Sequence, residues 1–306
     1  MKILSRFIRS CLFALASFSV SAADLGLPGT YRCGEHMVSI SADADQARLR
    51  LGGRWLTFMP ALSASGAKYE LEGAPDSWVW NKGADYFINL PETGEVACTA
   101  ILPAQQTFSA GGNEPGWRLD LDEKGAVLTF LDAAPISAPL NADPEPTSDG
   151  RRVRFGAASA SIADSLCRDS ATGMPHPYTV GVETADATFT GCGGAPLALL
   201  AGVTWKVASF AGQPIPDGVV PTLLFDENGT VLGFSGCNRF TGSFHLTGEG
   251  LTFGLLAMTR MACPAPQMNT EQALSEVLAS TTRFDMSETG TLLLVSNDTN
   301  VLEAKP

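Results

Sequence analysis

The sequence is short of histidine and of positive charge. Its three histidines, at 36, 176 and 245, lie far apart, and none has the spacing of a metal site or the company of a nucleophilic triad. That scarcity argues against a hydrolase. Lysine and arginine number 20 against 32 aspartates and glutamates, a formal net charge of −12. A nucleic-acid partner needs a basic face to neutralise phosphates, so that class is disfavoured and a basic protein partner favoured. The seven cysteines include no C-x-x-C pair, which speaks against zinc and redox-motif chemistry. No metal or cofactor is expected. Beyond residue 23 no stretch is apolar enough to cross a bilayer, which takes about 20 helical residues.

The one sustained apolar run lies at the start. Lys2, Arg6 and Arg9 precede the run from Cys11 to Val20, and Ser21-Ala22-Ala23 follow, the layout of a secretory signal peptide with small residues at its cleavage site. The expected leader is 1–23, and a periplasmic or secreted mature chain would begin near Asp24. Cys11, directly after Arg9-Ser10, lies too early for lipid attachment. Without the leader 17 basic residues face 32 acidic ones, a net charge of −15.

The remaining 283 residues are too many for one small barrel and suggest two or three domains. Six cysteines remain and fall in order as Cys33 and Cys98, Cys167 and Cys192, Cys237 and Cys263. Six allow 15 pairings in principle, and sequential pairing alone keeps each bridge inside one compositional block. Three blocks follow, 24–103, 104–196 and 197–306. In an oxidising compartment each closed loop would contribute roughly 3 to 4.5 kcal/mol.

The first block is strand-like throughout. Val38-Ser39-Ile40-Ser41 alternates, and Arg48 to Leu51 and Trp55 to Phe58 flank Gly52-Gly53, a hairpin signal. No ten-residue amphipathic helix appears in it, so a small all-β unit is expected.

Within this block the stretch from Ser63 to Gly83 carries side chains that look aimed outward. Tyr69 to Leu71 and Trp78 to Trp80 flank Gly73-Ala74-Pro75-Asp76, a turn composition. With Ala74 and Pro75 at the tip, Tyr69 would face Trp80. Ser65 and Lys82 would then lie within a residue or two of each other, with Gly66 and Gly83 alongside to admit a partner. The pattern S-x-S-G-x-x-Y, then W-x-K-G and a closing cysteine, is held by Ser63, Ser65, Gly66, Tyr69, Trp80, Lys82, Gly83 and Cys98. It resembles the C-type lysozyme inhibitor (MliC-like) family of bacterial envelopes. The resemblance implies an antiparallel β-barrel and a non-enzymatic binding role. It also implies that Ser65 and Lys82 enter the lysozyme cleft, with Gly66, Tyr69 and Trp80 as further binding residues. The hairpin is about three residues longer than the family pattern.

The second block opens on Gly111-Gly112-Asn113-Glu114-Pro115-Gly116-Trp117, and Trp117 to Leu121 alternates as a half-buried strand. The four prolines at 135, 139, 144 and 146 exclude regular structure from the middle of 133–150. Cys167-Arg168-Asp169, Gly173 to Pro177 and Gly191 to Gly194 resemble a small domain of uncharacterised envelope proteins. Asp169 and His176 invite a catalytic reading, but no serine in a nucleophile-elbow setting accompanies them.

The third block contains Gly236-Cys237-Asn238-Arg239-Phe240-Thr241-Gly242 and, later, Thr259-Arg260-Met261-Ala262-Cys263-Pro264. These strings resemble the META domain, the fold of the heat-shock protein HslJ, and imply one helix packed on a sheet. Asn269 followed by Gln272 predicts the cap of a helix over roughly 268–280, with Ala273, Leu274, Val277 and Leu278 on its apolar face. Asn238 and Arg239 are the residues a functional reading would choose in this block, but a structural role is favoured, since asparagine accepts turn geometry and arginine can bond carbonyls near a disulfide.

The chain is thus expected to be mainly β, three small disulfide-containing domains, the first a barrel. The expected role is inhibition of C-type lysozyme. The alternative is an envelope stress or structural protein acting through its META domain.

Overall fold

The computed structural model describes residues 28–306 apart from 35, 43, 44, 84, 103–106 and 123. The expected leader 1–23, and the expected junction between the first two blocks at 103/104, lie outside the described residues.

The first block forms eight strands: β1 (Gly29–Cys33), β2 (His36–Ala42), β3 (Ala47–Leu51), β4 (Arg54–Ala61), β5 (Ala67–Leu71), β6 (Ala74–Lys82), β7 (Asp85–Leu90) and β8 (Gly94–Leu102). Each pairs antiparallel with the next and β8 returns to β1, closing a barrel in sequence order. Alternate side chains point inward, so Val38, Ile40, Leu49, Leu51, Phe58, Val79 and Ile88 fill the interior. Cys33 lies opposite Cys98 across β1 and β8, and their disulfide staples the seam that closes the barrel.

The second block curls into a nine-stranded sheet running from Ile136–Ala138 at one edge to Glu145–Pro146 at the other. Both edge strands lie at the ends of the proline-rich segment 133–150, and its middle holds no strand. A bridge from Leu140 to Phe155 and the bond from the Asn141 amide to the Arg154 carbonyl (2.8 Å) lace the two ends together. Trp117, Leu119 and Leu121 on Gly116–Asp122 point into this unit's own core with Phe155, Val180 and Val182. Cys167 pairs with Cys192.

The third block is a ten-stranded sheet in which the terminal strand Thr299–Lys305 inserts between Thr204–Phe210 and Leu292–Ser296. Cys237 pairs with Cys263, so all three bridges are sequential. Its helix spans Ala265–Ser280 and begins three residues earlier than the sequence suggests. Asn269 is not its cap. Pro264 holds that position without a side-chain bond, and Pro266 lies in the first turn, where fixed proline torsions fit and amide donors have no partner anyway. Thr270, Leu274 and Leu278, at i, i+4 and i+8, form the buried face. A second, four-residue helix, Leu197–Leu200, precedes the sheet.

The three units are pressed together. The buried core of the barrel is continuous with that of the third sheet. At the Gly52-Gly53 turn, a Cβ on Gly52 would stand 2.7 Å from the Trp205 ring and one on Gly53 3.0 Å from the Met286 sulfur. The turn between β3 and β4 is therefore also a docking point.

Candidate functional site

The β5–β6 hairpin differs from the expected register by one residue. Tyr69 faces Val79, not Trp80, and Trp80 faces Lys68. The reason is at the tip: Glu70 pairs with Trp78 and Leu71 with Ala74, so Pro75, Asp76 and Ser77 have no opposite residues and form a bulge. The bulge lies at the end of the hairpin away from Ser65 and Lys82. At the open end Ala67 pairs with Asn81. Gly66 then lies against Asn81 and Lys82, where a Cβ would come 2.2 Å from the Asn81 carbonyl oxygen, and its φ of +67° is the left-handed region. Glycine is required here on both counts.

Trp80 ties the two sides of this end together. Its indole Nε1 donates to the Ser65 carbonyl at 2.8 Å, and the Lys82 ammonium lies 3.6 Å from a Trp80 ring centroid and 5.1 Å from that of Phe87. Ser63 closes the loop from the other side, its hydroxyl donating to the Ser65 carbonyl (2.7 Å) and accepting from the Ser65 amide (3.3 Å). Ser65, Gly66 and Lys82 are exposed. Tyr69, in contrast, is only 5% exposed and packs inside the barrel, so its place is beneath the site, supporting the strand, and not on the face a partner would meet.

Two residues at this face escaped sequence reasoning. Leu62 is fully exposed beside Ser63, and Trp78 packs edge-on to Trp80 at 6.2 Å with the Lys68 ammonium 5.5 Å from its ring. The W-x-W repeat at period two was the available signal for Trp78. An isolated leucine carries none.

The candidates of the second block serve turn geometry. Asp169 Oδ1 accepts from the Ala171 amide, the Thr172 amide and the Thr172 hydroxyl, and Oδ2 accepts from Asn113 Nδ2 at 2.9 Å. Burial pushes its carboxyl up, but these donors outweigh burial and hold it below the ordinary aspartate value. His176 Nδ1 bonds the Gly194 carbonyl at 2.8 Å. Both residues border one surface cleft, but each is committed to backbone or turn partners.

Residues 31–97 match the family described as membrane-bound lysozyme-inhibitor of c-type lysozyme (MliC), and residues 198–306 match the META domain family. The chain carries an MliC segment and a META segment. The heat shock protein HslJ of Escherichia coli (strain K12) is 36% identical over 93 residues, 30% of this chain and 66% of HslJ. The chain thus spans just under two thirds of that relative's length. An NMR structure of a protein from Burkholderia xenovorans aligns at 31% identity over 35% of this chain and 83% of its own, with a TM-score of 0.31.

The META signature strings are a lock between two loops. Asn238 is buried, and its Oδ1 accepts from the Met261 amide (2.7 Å) and the Thr259 hydroxyl (2.8 Å) while Nδ2 donates to the Met261 carbonyl (3.2 Å) and Glu271 (3.3 Å). Ser235, fully buried, donates to the Asn238 carbonyl and accepts from its amide. One asparagine thus satisfies both edges of the Thr259–Met261 segment next to the disulfide. The polar atoms that suggested a site are consumed by structure. Of the two candidates, Arg239 is the exposed one. Among the described residues no helix is long and apolar enough to cross a membrane.

Proposed function

We propose that the protein inhibits C-type lysozyme by presenting the open end of the β5–β6 hairpin to the enzyme's cleft, with Lys82 and Ser65 as the inserted groups. The carrying observation is the pairing of an exposed ammonium with an exposed hydroxyl loop on adjacent strands, both anchored to one indole, inside the MliC segment. A retaining glycosidase holds two carboxyl groups about 5 to 5.5 Å apart across a saccharide-shaped cleft. An ammonium fits such a target through a charge-assisted hydrogen bond, and a hydroxyl meets the neighbouring polar atoms. Leaving the Trp80 ring costs Lys82 only about 0.5 to 1 kcal/mol, less than a desolvated carboxylate returns.

The test is residual muramidase activity of a C-type lysozyme titrated with the mature chain, at two salt concentrations. Stoichiometric inhibition is expected. Lys82→Ala should weaken it by about 2 to 5 kcal/mol, and Ser65→Ala by about 1 kcal/mol. A folded, disulfide-intact wild type that leaves lysozyme active would end this reading. The envelope stress or structural role through the META segment would then take its place, and the match over 198–306 with HslJ likeness favours that second reading.

A further inference from the structure

A second site is suggested by an imbalance of buried charge. Arg48, Arg50 and Arg151 are all at least nine-tenths buried where the barrel meets its neighbours. A single buried carboxylate, that of Asp164, lies in ion-pair contact with any of them among the described residues, bonding Arg48 at 2.6 Å and Arg151 at 2.7 Å. Among the described residues no carboxylate is in ion-pair contact with Arg50. Its guanidinium donates to the Gly52 carbonyl (3.0 Å), the Ser39 hydroxyl (3.1 Å) and the Ala198 carbonyl, and stacks over Trp55 at 5.8 Å. Burial pulls its pKa below the ordinary arginine value, opposed by the Tyr178 phenol and Asp164. Arginine nevertheless stays charged. A buried cation held by neutral partners is a costly arrangement that an anion would relieve.

That guanidinium borders a cleft of about 350 Å³ between the barrel and the META segment. The barrel wall carries Arg50 and Arg32, the latter exposed and in no ion pair among the described residues. The META side contributes the turn holding Asp226 and Glu227, and Leu224 and Leu232 supply apolar lining. Asp226 uses Oδ1 to accept from the Asn228 amide and side chain, while Glu227 is exposed. Clefts between domains with an apolar lining and a few convergent polar groups are favoured ligand sites, and this volume is at the small end of their range. A cleft lined by cations from one segment and carboxylates from the other suits a ligand that carries both charges.

We propose that this cleft binds a zwitterionic amino acid or short peptide, its carboxylate toward Arg50 and Arg32, its ammonium toward Glu227 and Asp226, and an apolar side chain against Leu224 and Leu232. The site is separate from the hairpin and does not rest on lysozyme inhibition.

The test is calorimetric or NMR titration of the full mature chain with Leu-Leu, Leu-Ala and Ala-Ala, beside their N-acetyl and C-amide forms. At least one free dipeptide should bind saturably at millimolar concentrations or below, with either blocked form weaker by about tenfold or more. Arg32→Gln should weaken the free dipeptide and reduce the penalty for amidation, and Glu227→Gln should do the same for acetylation. Both side chains are exposed, so folding should survive, and lysozyme inhibition by both variants should match the wild type. Absence of saturable binding by all three dipeptides, blocked forms that bind as tightly as free ones, or variants that leave the end-group preferences unchanged would each overturn the assignment.

Discussion

Trp80 does three things at once with one side chain. Its N–H restrains the Ser65 carbonyl, its ring supports the Lys82 ammonium, and its edge packs on Trp78. The hydrogen bond and the ring can be separated. Trp80→Phe keeps an aromatic face beneath Lys82 but removes the donor, leaving the loop held by Ser63 alone. On the proposed inhibitory role, lysozyme inhibition should weaken by about 1 kcal/mol, and amide exchange at 63–66 should quicken while the barrel core stays protected. Trp80→Ala, which also removes the cation–π contact, should lose about 0.5 to 1 kcal/mol more. Unchanged inhibition and unchanged exchange in Trp80→Phe would show that the indole merely fills the surface.

At the scale of elements, strands were legible wherever one face met water and the other a core. Trp117 to Leu121 alternates because it lines an interior on one side only, and it appears as a strand. At β3 the strand and its hairpin form as the sequence suggests, but the alternation understates burial. Arg48-Leu49-Arg50-Leu51 has the alternation of a half-exposed strand, yet all five residues of β3 are buried, because its outer face is covered by the other two units. Periodicity reports the near core and carries no information about a neighbouring domain. The register of the candidate hairpin was displaced for a related reason: a bulge leaves composition unaltered while changing which residues face each other. Gly52 shows what the covered face demands. Its φ is +58° and its missing Cβ admits the Trp205 ring, whereas Gly73, with φ of +75°, has nothing within 4 Å. Gly73→Ala should therefore cost about 1 kcal/mol, from backbone strain alone. Gly52→Ala adds a steric clash with a fully buried ring and should cost about 2 to 4 kcal/mol, measured as urea midpoints at constant m-value. Equal losses in the two variants would mean that the turn does not bear on the META segment.

At the scale of the whole molecule, each pair of units is joined by specific bonds. Arg48 reaches from the barrel to Asp164 and the Thr147 carbonyl of the middle unit. Arg50 reaches to the Ala198 carbonyl at the edge of the META segment. Arg168 closes the triangle, donating from the middle unit to Asp285 (3.0 Å) and the Met286 carbonyl (2.6 Å). The units should consequently unfold together. Asp164 is the test of that coupling, since its side chain is 2% exposed and holds two guanidiniums from different units. Removing one member of a buried ion cluster leaves uncompensated charge and typically costs about 3 to 5 kcal/mol. Asp164→Asn is isosteric, so the loss reflects charge and not volume. Calorimetry of the wild type should give one transition. Asp164→Asn should lower it and separate the middle unit's unfolding from that of the barrel and META segment, which share a continuous core. The shift should persist at high salt, because a buried cluster is screened far less than a surface pair. Two resolved transitions in the wild type would show that the units fold independently, and an unchanged single transition in Asp164→Asn would show that this ion cluster is incidental to their stability.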